Sequence, residues 1–257
     1  MNLLNKEITE SIEQIRSNPL NHNLRLKLLQ LYCISGQWAQ AQKILTQYLK
    51  LNPNDHQTKA LFMGNIECEL KRLKCFDENV DLNAYLEDDI SVNIQQKIIH
   101  DFKQNKDINE LFLNLHDQVK SYFKIQLNNE SEITDEIIDS DLRLSHVVEI
   151  FEENRYSVLG VHEIESIQFK PTEILTDLLW RRTEIRLKNQ SHIACFVPVR
   201  YPFQNEANLD DALLYAHTTQ WQSYGDFSTA FGQKTLSTPE LDIGILDIQS
   251  LQSIEPL

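Results

Sequence analysis

Glycine is scarce in this chain, with 6 among 257 residues, and proline supplies only 7. So few glycines argue against glycine-rich phosphate-binding loops and against turn-dense β-sandwiches. No P-loop, dinucleotide fingerprint, Gly-x-Ser-x-Gly elbow or HExxH sequence is present. The cysteines Cys33, Cys68, Cys75 and Cys195 form neither a CxxC pair nor a regular framework, which removes the disulfide-scaffold class. Long apolar runs are missing too, since none approaches the roughly 18 residues of a membrane span. Lys6, Glu7 and Glu10 interrupt the opening stretch where a secretory signal would be apolar. The expectation is a cytoplasmic, soluble protein with reduced buried thiols and no membrane insertion.

Bases are few beside acids: 24 Lys and Arg face 38 Asp and Glu, a formal charge of -14. A surface of that sign repels a phosphate backbone, so nucleic acid is not an expected partner. The acidity is unevenly placed. Residues 1–127 carry 15 bases and 16 acids, leaving 9 bases and 22 acids beyond them. Hydrophobic residues make up 41% of the chain, enough for a real core and for about two ordinary domains.

The first half reads as helical. Leu24, Leu28, Leu31 and Tyr32 recur at three- and four-residue steps, and beyond Gly36 a second stripe runs through Trp38, Ala41, Ile44, Leu45 and Tyr48. Asn52-Pro53 ends it, because proline lacks an amide hydrogen and restricts its predecessor. Pro19 and Pro53 lie 34 residues apart, the tetratricopeptide period, and Tyr32, Gly36, Trp38, Ala41 and Pro53 fall where that repeat places its aromatic, turn, small and proline positions. One repeat cannot bury its own face, so flanking helices are expected before Pro19, over 56–74, 91–104 and 108–126, with a loop over 77–89.

Residues 128–141 hold six acids before the first base, Arg143, and read as a linker. A short helical pattern is expected over 142–153, and after it the period falls to two. Strands are expected over 155–159 and 162–169, in a hairpin about Asn189-Gln190-Ser191, and in a last strand marked by Ile243, Ile245 and Ile248. The expected fold class is α+β. An all-α tetratricopeptide-like domain (1–127) is followed, across an acidic linker (128–141), by a smaller α+β domain with an antiparallel sheet (142–257).

Candidate chemistry is sparse. Asp139-x-Asp141, with His146 as a third candidate, has the donors of a metal-dependent hydrolase, but closely spaced acids in an acidic segment also serve as caps and as partners of Arg143. Cys68 and Cys75, with Cys33 in a neighbouring helix, lack zinc spacing and read as small buried hydrophobes. No metal, cofactor or catalytic residue is assigned. Arginines beside aromatics in Trp180-Arg181-Arg182 and Pro198-Val199-Arg200-Tyr201-Pro202 have the chemistry of interface anchors, and equally that of core residues with a buried salt bridge. Trp180, Arg200 and Tyr201, with Trp38 and Tyr32 of the helical half, are the partner-binding candidates.

At these residues the chain resembles a known family. The order Asp139-x-Asp141-x-Arg143-Leu144, Asn154-Arg155-Tyr156, Asp177-Leu178-x-Trp180, Pro198-x-Arg200-Tyr201-Pro202, Thr219-x-Trp221 and Leu246-Asp247 is similar to that of ImpE/SciE proteins, also called TagJ, accessory proteins of bacterial type VI secretion systems. Ser145 stands where the family has glycine, Asn189-Gln190 where it has Asn-Gly, and Phe231-Gly232-Gln233-Lys234 where it has a second arginine-rich stretch. The resemblance implies a cytoplasmic, non-enzymatic adaptor that binds the small subunit of the contractile sheath. It further implies action on sheath assembly or recycling, with the sheath-recycling AAA+ ATPase as a second partner. Asp139, Asp141, Arg143, Tyr156, Asp177, Pro198 and Trp221 are the motif residues, read as structural. A general tetratricopeptide-type chaperone adaptor is the remaining alternative.

Overall fold

Asn21 starts the second helix: its side chain accepts from the amides of Asn23 and Leu24 at 3.0 and 3.3 Å, satisfying donors that a helix leaves open. The computed structural model describes residues 3–78, 80–202 and 210–254, and begins with helices α1 (Leu3–Ser17), α2 (His22–Ile34), α3 (Trp38–Leu51) and α4 (His56–Asp77). Gly36 joins α2 to α3 at a φ of 66°, a left-handed conformation that a side chain would strain. Asp55 caps α4 through the Thr58 amide at 3.0 Å and also takes the Tyr48 hydroxyl at 2.6 Å. Helices α5 (Ile90–Lys103) and α6 (Asn109–Val119) follow.

The remainder builds one large antiparallel sheet. Its strands are β1 (Tyr122–Leu127), β2 (Glu132–Glu136), β4 (Val147–Glu152), β5 (Arg155–Gly160), β6 (Ile164–Phe169), β7 (Trp180–Leu187), β8 (His192–Pro198) and β13 (Ile248–Ile254). Their spatial order is β2-β1-β13-β6-β7-β8-β4-β5. A three-stranded sheet is made by β3 (Ile138–Asp139), β11 (Thr235–Ser237) and β12 (Asp242–Gly244), and a separate pair by β9 (Thr219–Tyr224) and β10 (Phe227–Gly232). A one-turn helix, α7 (Asp211–Leu214), precedes β9.

The mixed α+β class stands, with several corrections. The last predicted helix stops at Val119, because Tyr122–Leu127 pairs with β13 on one side and β2 on the other, burying Phe123 and Ile125. The acidic stretch 128–141 is not a plain linker: it supplies β2 and β3. Acids suit β2 because it is an edge strand with one open side. Instead of a helix over 142–153 there is a turn and then β4, whose apolar run pairs along its whole length with β5. The last predicted strand is broken after Gly244 by a 3-10 turn at Ile245–Asp247, since Ile245 and Ile248 are out of step for a period of two. The hairpin of β7 and β8 forms as predicted, with Gln190 at a φ of 70° in the turn position where glycine is common.

Both faces of the large sheet are covered. One carries Leu251, Ile167, Ile185, Ile193 and Val197 against Ile243 and Ile245. The other joins the helices in a continuous core, where Trp180 of β7 lies flat on Trp38 of α3 and edge-on to Phe62 of α4, each with centroids 6.3 Å apart. Stacked and edge-to-face rings add to the area they bury. Among the described residues no helix is long and apolar enough to cross a membrane. Trp180→Ala, which empties the layer boundary, is expected to lower stability by about 3–5 kcal/mol, read as a shift of the urea midpoint at unchanged slope.

Candidate functional site

Glu149 is a carboxylate in the middle of the apolar run Val147-Val148-Glu149-Ile150-Phe151, and it is fully buried. Burial of a lone charge is prohibitive, so its partners define the site. Arg72 of α4 donates Nε to Oε1 at 2.7 Å and Nη2 to Oε2 at 2.6 Å, a two-pronged pair. Tyr156 of β5 donates its hydroxyl at 2.8 Å, and Lys234, just before β11, brings its ammonium to 2.6 Å. Burial opposes ionisation of Glu149, but Arg72 and Lys234 outweigh it and hold the carboxyl well below its usual range.

The network extends both ways. Arg72 also donates to the Arg200 carbonyl at 2.7 Å and to Glu69 at 3.3 Å, and Glu69 accepts the Trp180 indole N–H at 2.9 Å. Arg200 donates Nη1 to the carbonyls of Ile34 and Leu214, both at 2.8 Å, fastening the end of α2 to the sheet domain. On the far side Lys234 lies 3.9 Å from Asp139, which accepts the Tyr201 hydroxyl and the Asp141 amide at 2.8 and 2.9 Å. Burial pushes the Asp139 carboxyl up to about 7, against the pull of Lys234. Asp141 accepts from the Arg143 amide and Nε and from the Ala230 amide, at 2.8, 2.9 and 2.8 Å, and Arg143 Nη2 sits 2.5 Å from its second oxygen.

Of the two readings open for the partner-binding candidates, burial favours the core one. Trp180, Arg200, Tyr201, Trp38 and Tyr32 are all buried, at 8% exposure or less. Their side chains join layers: the Trp180 indole meets Glu69 and Trp38, and the Arg200 guanidinium holds the Ile34 and Leu214 carbonyls. Motif residues Asp139, Asp141, Arg143 and Tyr156 converge on this network. Asp177 serves a local turn, accepting the Glu173 and Ile174 amides at 2.8 and 3.0 Å. Pro198 ends β8 opposite Trp180, and Trp221 stands half-exposed on β9.

For the hydrolase reading, the geometry leaves Asp139 and Asp141 committed to amides, Arg143 and Tyr201. His146 is held apart from them by Ser145 Oγ at 2.9 Å and His116 at 3.2 Å, and burial lowers its pKa to about 3. No group of three or more His, Cys, Asp or Glu able to hold a metal occurs among the described residues. The cysteines are buried, and burial lifts the Cys68 and Cys195 thiols to about 12. Sequence reasoning missed Glu69, Arg72, Glu149 and Lys234. The signal was present for Glu149, a charge inside an apolar strand; Arg72 sits among the ordinary surface-like charges of α4, and Lys234 is a lone base between Asp226 and Glu240 that no local pattern marks as buried.

Comparison with known proteins adds to this geometry. Residues 131–252 match the family model described as ImpE protein. The chain is 25% identical over 249 residues to the type VI secretion system accessory component TagJ of Pseudomonas aeruginosa, covering 93% of this chain and 83% of that protein. In fold it is similar to the crystal structure of protein VPA1032 from Vibrio parahaemolyticus, with a TM-score of 0.82 at 22% identity over 99% of this chain and 95% of that one.

Two measurements probe the network. Glu149→Ala strands Arg72 and Lys234 in the interior and is expected to destabilise by about 3–5 kcal/mol, read by chemical denaturation. The second concerns Asp139. A buried carboxyl with a raised folded-state pKa holds its proton more tightly folded than unfolded, so its contribution is present below its usual value of 3.8 and lost as pH rises through about 7. His146, with a lowered pKa, changes stability in the opposite sense below 6.5, so the two proteins must be compared at each pH. The melting temperature of Asp139→Asn should rise relative to the parent between pH 5 and pH 8. A constant difference would contradict the buried-acid assignment.

Proposed function

The chain belongs to the ImpE family, and from that premise we propose that it is a non-enzymatic adaptor of the type VI secretion system, binding the small subunit of the contractile sheath in the cytoplasm. In this reading it acts on sheath assembly or recycling, with the AAA+ recycling ATPase as a second partner. The observation that carries the reading is the similarity to an accessory component along nearly the whole chain, joined to the use made of the motif residues. Among those residues Trp180, Arg200 and, through Glu149, Tyr156 go into welding a helical layer to a sheet, as a rigid docking platform requires. The α2–α3 hairpin, with Gly36 in its turn and Ala41 fully buried, is read as a single tetratricopeptide-like unit, capped by α1 and α4.

The hydrolase alternative would need Asp139 and Asp141 open to a metal and to substrate. Their oxygens instead complete hydrogen bonds to Tyr201, Arg143 and Ala230. Adding Mg2+, Mn2+ or Zn2+ is accordingly expected to leave the melting temperature unchanged. A general chaperone adaptor differs from the sheath adaptor in its partner. Tagged full-length protein should retain the sheath small subunit from lysate and from purified components. Failure to bind either the free subunit or assembled sheath would remove the sheath reading.

A further inference from the structure

Beside the buried network, α4 and the sheet part to leave an open cleft of about 690 Å³ between α4, the β4–β5 turn, strands β7 and β8, and the segment 170–173. Its floor is apolar, from Leu61, Phe151 and Phe196. The approach of α4 to the β4–β5 turn is close: a Cβ on Gly64 would collide with Asn154 Oδ1. Two donors in its walls have no hydrogen-bond acceptor, Asn65 Nδ2 and Arg182 Nε. Asn65 is 4% exposed, and a buried amide left unmatched costs about 1–3 kcal/mol. Such a group is a mark of a missing partner.

The charges around the cleft are asymmetric. Lys170 is paired with Glu184 at 2.7 Å and Arg182 with Glu173 at 2.8 Å, which uses both bases. Glu153, exposed at the β4–β5 turn, adds an acid that no base answers among the described residues. The surrounding residues 128–257 carry most of the -14 charge.

We propose that this cleft is a docking site for an extended, basic segment of a partner protein. Each part of the chemistry points there. An apolar floor takes alternate apolar side chains of an extended strand. The acid excess at the rim takes the lysines or arginines between them. Asn65 Nδ2 and Arg182 Nε, both closed to solvent in this structure, take backbone carbonyl oxygens once the wall side chains part; an extended segment offers these freely, whereas a helix interior has already spent its carbonyls on its own amides. The site deepens the adaptor reading and rests on it for the partner being a protein.

The test uses full-length protein and a fluorescein-labelled peptide of about ten residues alternating valine and lysine, followed by fluorescence anisotropy at about 0.15 M salt. Saturable binding is expected, weakened by about tenfold or more in Ala60→Trp, which fills the cleft from an exposed position on α4, and in Glu153→Lys. The same peptide with glutamate for lysine should not bind. Glu240→Lys, outside the cleft, controls for general attraction to an acidic protein and should bind as the parent does. Both cleft variants change exposed residues, so their melting temperatures should stay within about 4 °C of the parent. Equal loss in Glu240→Lys, or unchanged binding in Ala60→Trp, would overturn the site. The probe is synthetic, so a negative sheath pull-down beside positive peptide binding would defeat the adaptor reading alone. Sheath capture beside failed peptide binding would defeat the cleft alone.

Discussion

The buried carboxylate of Glu149 is the constraint on which the rest of the structure depends. It takes four donors from three directions: two from Arg72 on α4, one from Tyr156 on β5, and one from Lys234 ahead of β11. An interior ion is tolerable only when every lone pair is matched, and here the match requires α4, the sheet and the β11 segment to arrive together. Arg72 then reaches past Glu149 to the Arg200 carbonyl, and Arg200 in turn holds the carbonyl of Ile34 at the end of α2. One chain of charges and carbonyls runs from the first helical hairpin to the centre of the sheet.

An apolar plug of the same volume would avoid the desolvation penalty. What the ionic network supplies is uniqueness of docking. Leucine-rich faces tolerate small slides of helix on sheet, because apolar contact is not directional. Arg72 has no such tolerance: it faces acceptors on Glu149, Glu69 and Arg200 at hydrogen-bond distances in a single placement of α4. The aromatic stack of Trp38, Trp180 and Phe62 supplies area at the same boundary, and the Trp180 N–H to Glu69 ties that stack to the ions.

The parts of this fold that were legible in the sequence are those with a local cause. The helices α1 to α4 follow from apolar period and from breakers such as Gly36 and Pro53, and the β7–β8 hairpin from strict alternation around a turn. The errors share a different cause. Tyr122–Leu127 begins two residues after a helix, so its short alternation of Phe123, Ile125 and Leu127 merges with the helical pattern before it, and its strand state is fixed by β13 from the other end of the chain. The acids of 128–141 look like a linker because an edge strand and a linker make the same demand for solvation. The site suffered most. Tryptophan and arginine serve both interfaces and cores, and only the partners of Trp180 and Arg200, far off in sequence, decide which.

The departures from the family pattern sharpen this point. Lys234 lies in the stretch where the resemblance led us to expect arginines, and its ammonium completes the Glu149 shell. Ser145, where the resemblance led us to expect glycine, makes hydrogen bonds to Gln95 and His146 at 3.1 and 2.9 Å. In this chain the buried carboxylate is met by Lys234 and Arg72, two cations of adequate reach from separate elements. The same reasoning separates interior from surface in the net charge of -14. Arg72 and Lys234 are consumed inside, each facing carboxylates, so they lend no positive field to solvent. The acid excess that a partner meets is consequently outside the core, and it includes the rim of the cleft beside α4.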